Sequence, residues 1–288
     1  VVSRQSVDLT EETMNQLQDD MSSSEADYPD IDYVIPTETM MDEYTHENKI
    51  TEEYVDYVVK LNPDSVAGIS YTYALGLNLL QKVDDKVVLL NSQDLGIQSM
   101  PHTLSDDATG YMDLHYDVLA GKFAEEKDEI VLVVDSKNQV SKDILEALGI
   151  TSEDNISFDT ILNSTIKLAY NDDYYVNYGN YYIPSNDLES VYNSENNLTL
   201  KVVGIIRLKS DFPSYVASFG IMYMNDLLED VILHNSTSKV VEAQKKANYN
   251  VLSGEMIDTS TEEGEETKDN LLAYLGDHST PYAIFIYP

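Results

Sequence analysis

The sequence predicts an α+β fold in two parts. A discontinuous, βαβ-containing module is built from residues 1–110 and 236–288, and a second, smaller α+β module, 111–235, is inserted into it. Three observations lead there. The stretch Tyr116 to Gly149 (YDVLAGKFAEEKDEIVLVVDSKNQVSKDILEALG) holds a complete strand–helix unit, followed later by a second buried-strand candidate, Leu198 to Leu208 (LTLKVVGIIRL). Gln93 to Asp113 is loop-rich, with Gly96, Pro101 and Gly110, and Ser236 to Ser238 mark a return, so the chain has two places to cross between modules. The segment before the first crossing reads as a helix, a strand and a hairpin, which suits an α+β unit.

Val1 to Asp8 begins as a strand. Thr10 caps a helical segment in which Glu11 to Thr13 favour the positive end of the helix dipole, and Met14, Leu17 and Met21 form a narrow stripe. Ser22 to Asp32 reads as a solvated loop and Tyr33 to Ile35 as a short strand. Thr51 opens a capped helix whose buried face is Tyr54, Val55, Val58, Val59 and Leu61, stopped at Asn62-Pro63-Asp64. Val66 to Leu77 alternates like a strand, and Lys86 to Leu90 reads as its hairpin partner across Asp84-Asp85.

In the strand–helix unit, Gly121 and the charged run Lys122 to Asp128 make a turn. Glu129 to Val134 is a continuous, β-branched run suited to a strand covered on both faces, although periodicity alone does not separate it from a buried helix. Ser141 is an N-cap, Ile144, Leu145 and Leu148 share one helical face, and Gly149 stands where a C-cap belongs. Phe158 to Leu162 and Thr165 to Tyr170 lead into a tyrosine-dense stretch. Phe212 to Phe219 is a loop, Gly220 to Tyr223 a short strand, and Asn225 to Leu233 a helix. Ser238 caps a helix from Lys239 to Asn248; Asp258 to Lys268 reads as acidic and flexible, Asp269 to Leu275 as a short helix closed by Gly276, and Tyr282 to Tyr287 as an alternating terminal strand.

The charge is extreme: 17 Lys and Arg against 52 Asp and Glu give a formal net charge of -35. Nucleic acid is excluded as a partner, since phosphate binding needs the opposite sign. The plain role of such acidity is solubility, and the functional one is attraction of divalent metal or cationic peptides. There are no cysteines, which removes disulfides, thiolate metal sites and cysteine nucleophiles. The five histidines share no H-x-x-x-H spacing, no G-x-S-x-G elbow occurs, and no P-loop is present. No catalytic, metal or cofactor site is therefore expected, and His115 is expected to make an ordinary structural contact. Asn171 to Asn177 offers oxygen ligands for calcium but not in the EF-hand order, and the same holds for Asp27 to Asp32. The most unusual composition is the tyrosine stretch. Tyr174, Tyr175, Tyr178, Tyr181 and Tyr182, beside Asp172 and Asp173, have the chemistry to hold a cationic peptide through ring faces and charge. The plainer alternative is that alternate tyrosines fill the edge of a small sheet.

Four motifs occur in a recognisable order: Y-D-V-L-A-G-K, then D-E-I-V-L-V-V-D, then a helix ending L-x-x-L-G, then L-K-V-V-G-I-I-R. Together with ISYTYALGLNLL inside Asn48 to Asn91, and VVEAQ followed by NVLSGE, they resemble the extracellular domain of ABC-transporter permeases of the FtsX/MacB type, in the Gram-positive branch. The resemblance spans residues 48–288. It implies a porter-like first module, a place on the extracellular face of the cell membrane, and a non-catalytic role without a cofactor. The implied partners are an ABC ATPase subunit and the permease's own transmembrane helices. A second permease copy and a cationic peptide or lipid cargo remain open. It further implies that Val1 to Asp8 and Tyr282 to Tyr287 share one sheet, apart from the sheet holding Glu129 to Val134 and Thr199 to Leu208. Pro288 would then open a helix returning to the membrane. A cell-surface binding or adhesion module without a transporter is the alternative; a secreted hydrolase finds no support in the residues.

Overall fold

The structure is a computed structural model that describes residues 1–3, 5–7, 45–105, 110–151, 155–211, 219–278 and 280–287. The expected helix after Thr10, the loop and strand that follow it, and most of the loop at 212–219 lie outside the described residues.

The fold is α+β. Strand β1 (Val2–Ser3) is followed by a small two-stranded pair, β2 (Gln5–Val7) and β3 (Thr45–Glu47). Helix α1 (Glu52–Val58) starts where Thr51 accepts a hydrogen bond from the Tyr54 amide at 3.2 Å. Glu52 and Glu53 add favourable charge to its first turn. Strand β4 (Gly68–Thr72) leads through an irregular stretch into the hairpin β5 (Asn78–Val83) and β6 (Lys86–Leu90). Short strand β7 (Gln98–Ser99), helix α2 (Tyr111–His115), and strands β8 (Tyr116–Gly121) and β9 (Glu129–Val134) follow. Helices α3 (Lys142–Ala147) and α4 (Phe158–Leu162) precede β10 (Thr165–Ala169). The tyrosine stretch forms α5 (Asn171–Tyr174) and the hairpin β11 (Tyr175–Tyr178) and β12 (Tyr181–Pro184), then α6 (Leu188–Tyr192). The remainder is β13 (Leu198–Leu208), β14 (Gly220–Tyr223), α7 (Asn225–Asn235), α8 (Lys239–Lys246), α9 (Glu262–Leu275) and β15 (Ala283–Tyr287).

Two sheets organise these elements. The larger runs β6-β5-β10-β13-β9-β14-β7, with β8 beside β13; the smaller runs β1-β15-β4. Of the expected strand Val1 to Asp8, Val2 and Ser3 share a sheet with the last strand, opposite Ile284 and Ala283, whereas Gln5 to Val7 pair with β3 in a sheet of their own. Neither β9 nor β13 belongs to the smaller sheet. The sheets nevertheless divide the chain differently from a boundary at 110/111. Strands β5, β6 and β7, expected in the first module, pair into the larger sheet, where β5 lies against β10.

This follows from a break inside Val66 to Leu77. The alternation there reads as one strand, but only Gly68–Thr72 is extended in the small sheet. The hairpin partner of Lys86 to Leu90 is Asn78 to Val83, not Val66 to Leu77. The chain steps between sheets over Tyr73 to Leu77, where Gly76 donates its N–H to the Tyr274 carbonyl at 2.9 Å. A Cβ on Gly76 would lie 2.6 Å from the Tyr274 ring, so glycine is what lets the ring sit there.

A second correction concerns Asp258 to Lys268. From Glu262 onward the acidic run is helix, because Thr261 accepts from the Gly264 amide at 3.1 Å and Glu262, Glu263 and Glu265 stand at the positive end of the dipole. The helix runs on to Gly276, whose φ of 85° forms the left-handed cap.

The large sheet is covered on both faces. In β9, Ile130, Leu132 and Val134 pack with α3, α4 and α7, whereas Val131 and Val133 pack with Tyr111, Met112, Tyr116 and Met222 on the other side. Residues 130 to 133 are all 0% exposed, and each contributes on the order of 1.5–3 kcal/mol of burial. The small sheet buries Ile69, Tyr71 and Ile284 against Val58 of α1. Polar groups tie the periphery together: Asn171 donates its backbone N–H to Asn235 Oδ1 (2.9 Å) and its amide to the Leu275 carbonyl (2.7 Å).

The longest strand, β13, takes β10 and β8 end to end on one side and β9 in parallel on the other. Where β8 ends, Gly121 lies opposite Gly204. Gly121 has φ 73°, and a Cβ there would come 2.0 Å from the Val203 carbonyl oxygen. A Cβ on Gly204 would come 1.9 Å from that of Lys122. The glycines of two separate sequence motifs are thus one packing contact.

The β5–β6 hairpin closes through Asp84 and Asp85, with φ of 47° and 63°. Both central residues are left-handed, the conformation in which Asn-Gly is preferred. The double substitution Asp84→Asn with Asp85→Gly is expected to raise stability by about 1 kcal/mol, read as an increase in Tm.

Candidate functional site

The seven residues singled out in the tyrosine stretch do not form one surface. Tyr174 is buried with Leu80, Ala169 and Val191, and Tyr182 is buried with Val240, Val241, Val251 and Leu275. Tyr175 packs edge-on against Tyr174, ring centroids 4.8 Å apart, and burial pushes its phenol pKa up. Asp172 accepts the Lys239 amide at 2.8 Å and so caps α8, a bond Ser238 does not make with its own side chain. Asp173 accepts from Ser194 Oγ at 2.5 Å. Asn171, the first residue of the calcium-like segment, is committed to the buried contacts described above, and no cluster of metal ligands occurs among the described residues.

What remains outside is one face of the β11–β12 hairpin. Tyr178 pairs with Tyr181 and Val176 with Ile183. All four are exposed, Tyr178 at 73%. The hairpin turns at Gly179 (φ 73°), and its opposite face is held by Tyr182 N–H to the Val251 carbonyl (2.8 Å) and by Tyr249 Oη to the Asn180 carbonyl (3.0 Å). Period-two alternation explains why neighbouring tyrosines part company. A groove of about 450 Å³ lies nearby, where Tyr174, Tyr175, Tyr73 and Tyr274 meet Leu75 and Leu89. The Tyr73 phenol is pushed up to about 12, chiefly by burial.

A second cavity, about 280 Å³, lies between the sheets. The small sheet contributes Ser70, Thr72, Phe285 and Tyr287, which alternate with the inward Ile69, Tyr71 and Ile284. The large sheet contributes Gln98, Ser99 and Met222, and α2 and β8 contribute Tyr111 and Tyr116. One segment bridges the sheets: β7 pairs with β14, and three residues on His102 exchanges both backbone hydrogen bonds with Ile69, each 2.9 Å. Ser70 Oγ and Tyr287 Oη are 3.2 Å apart, and the Tyr111 and Tyr287 rings meet at 4.2 Å. Burial raises the Tyr111 and Tyr116 phenols, so both stay neutral. None of the lining residues is charged. They come from five segments, and nothing in the sequence joins them.

The sequence also gave no hint of a buried ionic cluster at Asp230. This carboxylate is 8% exposed and accepts from Lys127 Nζ and from Tyr170 Oη (2.5 Å); His234 Nδ1 stands 3.5 Å away, with its ring stacked on Tyr170. Burial pulls the Asp230 pKa up, but Lys127, Tyr170 and His234 outweigh it and the net shift is downward. His115 makes the structural contact expected of it, with Nδ1 2.9 Å from the Tyr111 carbonyl and its ring stacked on Tyr111. The chain matches no protein-family model and no curated protein.

Proposed function

We propose that this chain is the non-catalytic extracellular domain of an ABC-transporter permease. In this reading an ATPase subunit drives the permease's transmembrane helices, and the domain couples that movement to export or sensing of a peptide, lipid or drug at the cell surface. The observation that carries it is the pairing of Val2–Ser3 with Ala283–Ile284 in the small sheet, while β9 and β13 lie in the other. A domain set between two membrane helices must receive the chain and return it at one place, and this pairing supplies such a place. Movement delivered to β1 or β15 has a direct route inward, from β15 to β4 and through the Ile69–His102 bridge to β7. No helix among the described residues is long and apolar enough to cross a membrane, so the spanning helices of this reading belong to other parts of the permease.

The test uses the absence of cysteine. Tyr178→Cys, placed in the gene's full product with the unsubstituted product as control, introduces a thiol at an exposed hairpin tip of a domain that has none of its own. A membrane-impermeant maleimide is expected to label it in intact cells, and the labelled protein is expected to co-purify with an ATP-hydrolysing subunit. Labelling only after lysis would remove the extracellular assignment. Labelling in intact cells without an ATPase would instead favour a surface binding module.

A further inference from the structure

We infer that the cavity between the two sheets is a binding site for a neutral sugar ring. The first ground is an unpartnered polar atom. Gln98 Nε2 is buried without a hydrogen-bond partner, and Gln98 lines the cavity on the sheet face it shares with its pair Met222. Ser99 Oγ is an orphan too, but it lies on the opposite face with Ile97 and its pair Tyr223. Buried polar atoms are almost always satisfied, and an orphan costs on the order of 1–3 kcal/mol. An orphan donor on the cavity wall is accounted for by a ligand that brings its partner.

The second ground is the chemistry of the wall. The chain carries 52 acidic residues, yet none lines this cavity, and neither does a Lys or Arg. A cation finds no carboxylate there and an anion finds no positive charge. A pure hydrocarbon would leave the Gln98 amide unanswered. A sugar answers both kinds of surface. Its hydroxyls donate and accept, as the Ser, Thr and Tyr hydroxyls do. Its C–H faces pack on the rings of Tyr111, Tyr116 and Phe285. The volume, about 280 Å³, stands close to the lower end of small-molecule sites, roughly 300 Å³, which suits one ring rather than a chain of them.

The orphan atoms also allow a clean test. Gln98 and Ser99 hold β14 through their backbones, opposite Met222 and Tyr223, so substitution of the side chains leaves the ladder in place. Replacing an unsatisfied buried polar group by an apolar one of similar shape is neutral or stabilising. Saturation-transfer NMR on the 288-residue chain, with glucose, galactose and N-acetylglucosamine at millimolar concentration and glucuronate as the charged control, should show transfer to at least one neutral sugar and none to glucuronate. Gln98→Leu should weaken binding roughly tenfold, and Ser99→Ala, on the other face of the sheet, should leave binding unchanged, both with the melting temperature unchanged or higher. No transfer to any neutral sugar overturns the inference and leaves a solvent-filled gap. Binding that survives Gln98→Leu, or that favours glucuronate, overturns it as well. The permease reading stands or falls separately, on the cell-surface labelling.

Discussion

Gly204→Ala is expected to destabilise the protein by about 3 kcal/mol or more, the upper end of overpacking costs, and to lower Tm by roughly 6 °C or more. The added methyl would sit 1.9 Å from the Lys122 carbonyl oxygen and 3.0 Å from its carbon. Both atoms are backbone, so no side chain can swing aside. Lys122 cannot retreat without cost, because its N–H donates to the Val203 carbonyl at 3.0 Å and its ammonium is held by Glu125 (2.7 Å) and Glu129 (3.1 Å). The damage falls where β8, β9 and β13 run side by side, in the middle of the large sheet. Urea or thermal unfolding measures it. The neighbouring exposed change Lys201→Ala serves as a control and should shift stability by no more than about 0.5 kcal/mol. Near-native stability of Gly204→Ala would mean that the motif glycines do not meet as described.

Asp230→Asn should cost about 2–3 kcal/mol at neutral pH, and its cost should depend on pH. The carboxylate is the shared acceptor for Lys127 and the Tyr170 hydroxyl, and the amide replaces a charged acceptor with a neutral one. Its folded pKa is depressed, so ionised Asp230 stabilises the fold at every pH above its unfolded value of about 3.9. That contribution is lost as pH falls through the folded pKa. The stability difference between Asp230 and Asp230→Asn proteins should therefore be present at neutral pH and shrink below about pH 4. Chemical denaturation at several pH values would expose the alternative, a gap that persists in acid, which would assign the loss to packing instead of charge.

Much of the large sheet is legible from local chemistry. Ile130 to Val134 reads as a strand buried on both faces because no polar residue interrupts it, and Ser141 and Gly149 bracket a helix with standard cap residues. The pairing of the chain ends is another matter, since Val2 and Ile284 carry no local sign of each other; the family resemblance, not periodicity, pointed there. The break at Tyr73 to Leu77 was hidden because alternation continues through it, and only Gly76 marks the step. The start of α9 was hidden because Glu262 to Glu266 looks like a solvated acidic run until Thr261 is recognised as its cap. The cavity was invisible for a deeper reason. Ser70, Gln98, Tyr116 and Tyr287 are ordinary residues in four separate strands, and what makes them a site is the bridge at His102, a tertiary event. The tyrosine stretch shows the converse: unusual local composition divided by the pleat into core on one face and surface on the other.

The separation of β15 from β4 along the chain has a consequence for synthesis. Its partner β4 lies roughly 210 residues earlier, so at about 5–20 residues per second β4 leaves the ribosome about 10–40 s before β15 can reach it. During that interval Ile69 and Tyr71 belong to a strand with one open edge, the form most prone to pairing with another chain. The His102 bridge becomes available within about 2–7 s and closes one contact on β4, but it leaves the ladder from Gly68 to Thr72 waiting. Ribosomes stalled after α9 would thus carry a formed large sheet and an unfinished small one, and such nascent chains should be cut by protease first around β4.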